Sequence, residues 1–409
     1  MLSDEVIDKV VERLAVRMEQ ANEYVLQEIG KSIKKIGTLS PSKAQELAQI
    51  MKYGGDYDKI VKKLVEITKL NKKDIYKIFQ EVAKKEYEFA EQFYKYRSKK
   101  YIKWDENTAL QNQVNAIAKL TADDYVNMSR TFAFATRNAQ GKLVYTDISK
   151  KYQQVLDEAV LNVGQGKESF DSAMQRTLKQ LAESGIRTID YASGKSRRAD
   201  SAVRMNLKEG LRTLHNEMQE QFGKEFDADG VEISVHANPA PDHEKVQGRQ
   251  FSNKEYAKLQ NGKDAEAYNG ITYSLDHDAK NGYRPISELN CYHYTFAIVL
   301  GVSEPEYSDK ELQQIIDANE KGFELDGKHY SMYEGEQLLR KVELELRKTK
   351  DIQILARESD NVELISEAQS KITTLTSKYK DIINASGLSS KINRAKVAGY
   401  RRVSTKKLK

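Results

Sequence analysis

The sequence predicts a mainly α-helical protein that carries one small α+β domain. Three observations lead there. Only five of the 409 residues are proline, and four of these lie between Pro239 and Pro305, so long helices can run almost anywhere outside that window. Over most of the chain apolar residues recur at steps of three and four, which stacks them on one helix face. Inside the window the pattern turns to alternation with β-branched residues, the mark of half-buried strands. The expected organisation is a helical N-terminal region over 1–225, a compact α+β domain over 226–305, and a helical C-terminal arm with a basic tail over 306–409.

A first helix is expected from Ser3 to about Ile36, with Val6, Val10, Leu14, Met18, Ala21, Val25, Ile29 and Ile33 forming its stripe. Ser3 is placed to cap it, Asp4 and Glu5 suit its first turn, and Gly37 ends it. A second helix is expected from Ser40-Pro41 to Gly54-Gly55, with proline at the first helical position. Further helices are expected at 57–70, 72–100, 106–136 and 146–183, with a break near Asn138–Gly141, and then from Ser196 to Phe222. The texture changes at Asp227–Gly230, and strands are expected over Val231–His236, Gly270–Leu275 and Cys291–Leu300. Beyond Pro305, Ser308 and Glu311 form a capping box ahead of Leu312. A turn at Leu325–Lys328 then precedes a long charged helix from about Tyr333, its pattern continuing to Ile383, of coiled-coil or bundle type.

Composition excludes several classes. Charged residues make up 31% of the chain, mean hydropathy is −0.70, and no run approaches 18 apolar residues, so no membrane-spanning helix is expected. The acidic start Met1–Glu5 does not resemble a secretory signal. A lone cysteine, Cys291, cannot form an intrachain disulfide, which favours assembly in a reducing cytoplasm. With 66 basic against 61 acidic residues, the net charge of +5 is too small to make the whole chain a nucleic-acid binder. No GxxxxGK[ST] loop, GxGxxG turn or GxSxG elbow occurs, so nucleotide binding and serine-hydrolase chemistry lack motif support.

Two constellations carry chemistry. The central window gathers His236, Asp242, His243, Gln247 and Arg249, then Asp276 and His277, then Asn290, Cys291 and His293. On a strand, Cys291 and His293 would share a face, and with His236 and His243 they would offer zinc four nitrogen and sulfur ligands. The spacing matches no zinc finger or ribbon. Buried cysteines and histidines more often join structural networks, here with Asp242, Gln247, Arg249 and Asn290, so no cofactor is expected and zinc is the alternative. A metal-dependent hydrolase or nuclease on the same four residues is the enzymatic alternative, although Asn290 and His293 stand too close together for an HNH-type site. The second constellation is the tail, where Lys391, Arg394, Lys396, Arg401, Arg402, Lys406, Lys407 and Lys409 follow one another with no acidic residue after Asp381. Such a run contacts phosphate backbones or an acidic partner, or is a solvated face. Ser193–Arg198 is a lesser basic segment, and Phe79, Phe89, Phe93 and Tyr94 at helical spacing read as packing residues.

Several segments together resemble a known family. They are Ser184–Tyr191 with Ser193-Gly194, Val203-Arg204-Met205, Val231–His236, Pro241-Asp242-His243, Gln247–Ser252, Asn290–His293, and Tyr330–Glu334 with Gln337, Arg340, Lys341 and Glu343. In this order they resemble the phage minor capsid proteins of the minor capsid protein 2 type, related in organisation to head-morphogenesis proteins of the phage Mu F type. The resemblance covers roughly 180–350; the first 180 residues share only helical character. It implies a non-enzymatic component of a tailed-phage head, assembled in the bacterial host cytoplasm. Its implied partners are the portal protein or the major capsid protein, and packaged DNA, with a role in head morphogenesis and in DNA packaging or ejection. It implies no membrane and no small-molecule substrate. One departure is visible: Ala237-Asn238-Pro239-Ala240-Pro241 lacks the arginine that the family often carries after alanine and ahead of its proline.

Overall fold

A computed structural model describes residues 4–37, 56–130, 133–137, 143–147, 181–185, 187–189, 196–275, 284–287 and 293–404, with single residues 154, 179 and 291. The helix expected at Ser40–Gly55 and most of that expected at 146–183 lie outside the described residues.

In helix α1 (Asp4–Gly37) the described part of the expected stripe, Met18, Ala21, Val25 and Ile29, is buried, but the buried surface is broader. Val11, Ala15 and Leu26 are buried beside Met18, Ala21, Val25 and Ile29, because the helix is packed on more than one side. Helix α2 (Asp56–Tyr96) is continuous where two helices were expected. The junction at Leu70–Lys72 holds no glycine or proline, and a mid-helix Asn71 costs too little to interrupt a packed helix. A 3₁₀ turn (Trp104–Glu106) leads into α3 (Thr108–Arg130), where the Asn107 side chain accepts the Leu110 N–H at 3.1 Å.

The facing ends of two expected helices are strands instead. Residues 133–137 and 143–147 are strands β1 (Ala133–Arg137) and β2 (Leu143–Asp147), paired antiparallel with Ala135 opposite Tyr145. The break marked at Asn138–Gly141 falls between two strands rather than two helices. The run Leu-Val-Tyr-Thr of β2, rich in β-branched and aromatic residues, is the signal that was outweighed. With β3 (Arg187–Ile189) and β4 (Ser196–Arg198) they form an antiparallel sheet in the order β2-β1-β3-β4. Helix α4 (Ala199–Glu225) therefore begins three residues after the expected Ser196.

The central unit is a three-stranded antiparallel sheet, ordered β6-β5-β9. It is built from β5 (Gly230–Ile233), β6 (Gln250–Ser252) and, at its far end in sequence, β9 (Thr295–Ile298), with Val231 opposite both Phe251 and Ala297. Between β6 and β9 lie α5 (Asn253–Gln260) and the small pair β7 (Ala265–Glu266) and β8 (Thr272–Tyr273). All three expected strands are shorter than their alternation. The β5 ladder ends at Ile233, and at His236 the backbone N–H and C=O are taken by the Gln247 side chain, at 2.9 and 3.2 Å, so pairing does not extend that far. The outer edge of β9 is covered by α4, whose His215 and Gln219 bond Thr295 O at 2.9 Å and Ala297 N at 3.1 Å.

Helix α6 (Asp309–Lys321) starts with the expected capping box at Ser308. The expected turn is a hairpin of β10 (Phe323–Leu325) and β11 (Lys328–Tyr330), with Asp326 and Gly327 both at positive φ. The single long helix expected after it is two: α7 (Met332–Glu358) and α8 (Val362–Ser386) fold back on each other around the turn at Ser359–Asn361. Ser331 and Glu334 form a second capping box. Among the described residues no helix is long and apolar enough to cross a membrane.

The largest core joins segments that are far apart in sequence. It contains Met18 and Leu26 of α1, Phe79 and Tyr87 of α2, Val114 of α3, Leu214 and Phe222 of α4, Tyr294 and Val299 beside β9, and Leu355 and Leu364 of the C-terminal hairpin. Helix α1 crosses α7 closely at Gly30, where an added Cβ would stand 2.7 Å from the Cβ of Glu358. Asp351 of α7 is wholly buried; Arg198 at the start of α4 meets it at 2.7 Å and Asn22 of α1 at 3.2 Å.

His215 is also wholly buried, with Nδ1 2.9 Å from Glu86 Oε1. Burial opposes its charge, but the Glu86 carboxylate and the Thr295 carbonyl outweigh that and raise its pKa above the ordinary value.

Two outcomes are expected. Arg198→Met should cost about 3–5 kcal/mol, because it strands the buried Asp351 carboxylate, and Arg198→Met with Asp351→Leu should recover most of it; equilibrium urea unfolding measures both. Because His215 binds its proton more tightly folded than unfolded, its contribution is complete below pH about 6.5 and disappears as pH rises through the elevated pKa. Unfolding free energy should therefore fall with pH above that point, by at most about 1.4 kcal/mol per unit from this group, and His215→Gln should remove that component.

Candidate functional site

Past the end of β5 the chain bends at Ala237-Asn238 and then coils through a turn over 241–248. Val246 and Gln247 donate their N–H groups back to His243 O, both at 3.2 Å, and Gly248 donates to Ile233 O at 2.8 Å. Gly248 has φ +69°, and an added Cβ would stand 2.8 Å from Val235, so this return to the sheet needs glycine. The turn sets His243 and Gln247 under the segment leading into β9, which carries Cys291 and His293. Ser234 ties the two together: its N–H donates to Tyr294 O at 2.8 Å and its hydroxyl accepts the Tyr294 N–H at 2.9 Å.

Cys291 Sγ lies 3.3 Å from His243 Nδ1 and 3.4 Å from His293 Nδ1. All three side chains are buried, at 4%, 1% and 3% exposure. The expected convergence of Cys291 with His293 is thus found, but not through strand alternation, since β9 begins only at Thr295. His236 stands outside the group of mutually close donor atoms; its ring meets the His293 ring edge-on at 4.5 Å between centroids.

The hydrogen bonds assign the tautomers. Gln247 uses Oε1 to accept the His236 N–H and its NH₂ to donate to the His236 carbonyl, so its orientation is fixed. His293 Nε2, 3.2 Å from that Oε1, must then carry hydrogen and donate. His243 Nε2, 2.8 Å from Arg284 O, must also donate. Burial holds the His293 pKa well below the ordinary imidazole range, lowers that of His243, and raises that of the Cys291 thiol. Both neutral rings consequently turn an Nδ1 lone pair toward one protonated sulfur.

Asp242 joins this network through Arg284, which it holds by a two-pronged ion pair at 2.6 and 2.8 Å. Arg249 does not: it pairs with Asp309 at the start of α6, and its guanidinium lies 4.9 Å from the Tyr273 ring centroid. Asn290, Asp276 and His277 lie outside the described residues. Sequence reasoning missed Arg284, whose carbonyl orients His243, Arg212, whose guanidinium reaches Cys291 O at 3.2 Å, and Ser287, which donates to His293 O at 2.8 Å. All three act on or through backbone carbonyls, which every residue has, so no motif announces them; Arg212 gives only the hint of a charge on a buried helix face.

The tail residues are spread over a folded segment. Lys391 lies 3.8 Å from Glu336, Arg394 is half-buried, and Lys396, Arg401 and Arg402 are exposed; Lys406 and Lys407 lie outside the described residues. Val403 N–H donates to Gln369 at 2.9 Å, and the Lys350 ammonium lies 5.0 Å from the Tyr400 ring centroid, so residues up to 403 are seated on α7 and α8.

Comparison with known proteins returned no curated protein and no solved structure that matches this chain. The family described as phage minor capsid protein 2 matches residues 2–384, which takes in the four described α-helices of the N-terminal region, the histidine-bearing unit and nearly the whole C-terminal hairpin. The chain belongs to the phage minor capsid protein 2 family and is a structural protein of the phage virion.

Proposed function

We propose that this protein is a non-catalytic, portal-associated component of a tailed-phage head that acts in head morphogenesis. The observation that carries this reading is the near-complete span of the family match, 2–384 of 409 residues. The histidine and cysteine side chains are sealed inside the fold, so the face offered to other proteins lies elsewhere. A cleft of about 170 Å³ opens between α2, α4 and β9, lined by Phe89, Phe93, Phe222 and Phe226 and rimmed by Glu304 and Glu306. That volume admits a side chain or two from a partner. Phe89 is 43% exposed there, a large aromatic surface beside acidic groups, suited to an aromatic or basic anchor from another head protein.

The exposed charges Lys396, Arg401 and Arg402 support a secondary contact with packaged DNA. Deleting the tail would be a poor test, because Leu388 and Ala395 are buried against the hairpin and their loss would disturb folding.

Capture of the tagged protein from phage-infected cells should recover the portal protein or the major capsid protein. Phe89→Asp should abolish that recovery with unfolding free energy changed by no more than about 1 kcal/mol, as for a partly exposed position. Recovery of neither head protein with the unsubstituted chain would refute the assignment. For the tail, the logarithmic salt slope of duplex-DNA affinity should fall by up to about 3 on replacing Lys396, Arg401 and Arg402 with glutamine, and an unchanged slope removes DNA from the reading.

A further inference from the structure

We propose that His243, Cys291 and His293 together bind one zinc-class divalent cation, which fastens the turn over 241–248 to the segment leading into β9. This inference is independent of the capsid role.

The donor set and its geometry carry it. Zinc held tetrahedrally by sulfur at about 2.3 Å and nitrogen at about 2.0 Å places those donors about 3.5 Å apart. Here Sγ lies 3.3 and 3.4 Å from the two Nδ1 atoms, and all three donor atoms are within 4.8 Å of one another. The two ring nitrogens that face the sulfur are the two that carry no hydrogen, since both Nε2 atoms donate outward, to Arg284 O and to Gln247 Oε1. That arrangement, with each ligating imidazole braced from behind by a carbonyl oxygen, is how metal-ligating histidines are oriented.

A purely hydrogen-bonded triad fits less well. The thiol has one hydrogen, and two buried lone pairs compete for it. A cation accepts both lone pairs and the thiolate at once; the S–H bond breaks, its proton leaves to solvent, a sulfur–metal bond forms, and no electrons change hands. One thiolate and two imidazoles favour zinc over calcium or magnesium, which take oxygen ligands. The fourth position falls to water, because His236 is not in the donor group.

The test uses the full chain, purified without metal-affinity resin in buffers containing trace zinc, gel-filtered and analysed for metals. About one zinc per chain is expected. Replacement by cobalt should produce a sulfur-to-cobalt charge-transfer band that Cys291→Ser removes, while His236→Asn and the exposed His329→Ala keep both metal and band. Since Cys291→Ser could fail to fold, the unsubstituted protein supplies a second readout: a chelator should lower its thermal midpoint and added zinc should restore it. Less than about a tenth of an equivalent of metal in the folded protein would overturn the proposal, as would a midpoint indifferent to chelator and zinc. Loss of metal in His236→Asn would overturn the assignment of three protein ligands.

Discussion

A carboxylate with no contact with solvent has to be met by charge before the groups around it can pack, and Asp351 imposes that condition on this fold. It sits in the C-terminal arm, but the groups that meet it come from the N-terminal half: Arg198, where β4 turns into α4, and Asn22 on α1. The ion pair therefore fixes the azimuth of α7 against both helices. The Gly30 crossing sits nearby on the same helix pair, and the apolar core closes around them. Burying an ion pair is an inefficient source of stability, so its value here is geometric: few alternative packings of α1, α4 and α7 leave both charges satisfied.

Much of the architecture could be read from residue spacing, and the failures have specific causes. α1, the Ser308 capping box and the texture change near Asp227 depend on local chemistry and came through intact. The β1–β2 pair was missed because a five-residue strand is shorter than the window over which helical periodicity is judged, and helix was the expectation on either side. The turn between α7 and α8 was missed because Ser359, Asp360 and Asn361 are ordinary surface residues of a charged helix until Asp360 adopts φ +55°. In the histidine-bearing unit the residue types were visible in sequence and so was the pairing of Cys291 with His293. What sequence could not supply was the exclusion of His236 and Arg249, decided by one glutamine clamp and one ion pair across chain separations that carry no pattern.

The cluster, the central sheet and the helical body form one mechanical path. The turn holding His243 is stitched to β5 by Gly248, the segment holding His293 runs directly into β9, and β9 is held at its outer edge by His215 and Gln219 of α4. His215 in turn meets Glu86 on α2. Thus the small α+β unit does not hang from the helices by a linker. The strand that forms one wall of the aromatic cleft is thus the one that leads back to the cysteine.

The separation in sequence between Asn22 and Asp351 also has a consequence during synthesis. These bonded side chains are 329 residues apart, and Arg198 is 153 residues from the same carboxylate. At about 5–20 residues per second a ribosome needs roughly 8–30 s to make the second stretch alone. During that interval α4 is added to α1 while the flank that α7 will cover stays unclosed, and their apolar stripes are open to neighbouring nascent chains. Closure of that flank therefore waits until α7 has been made.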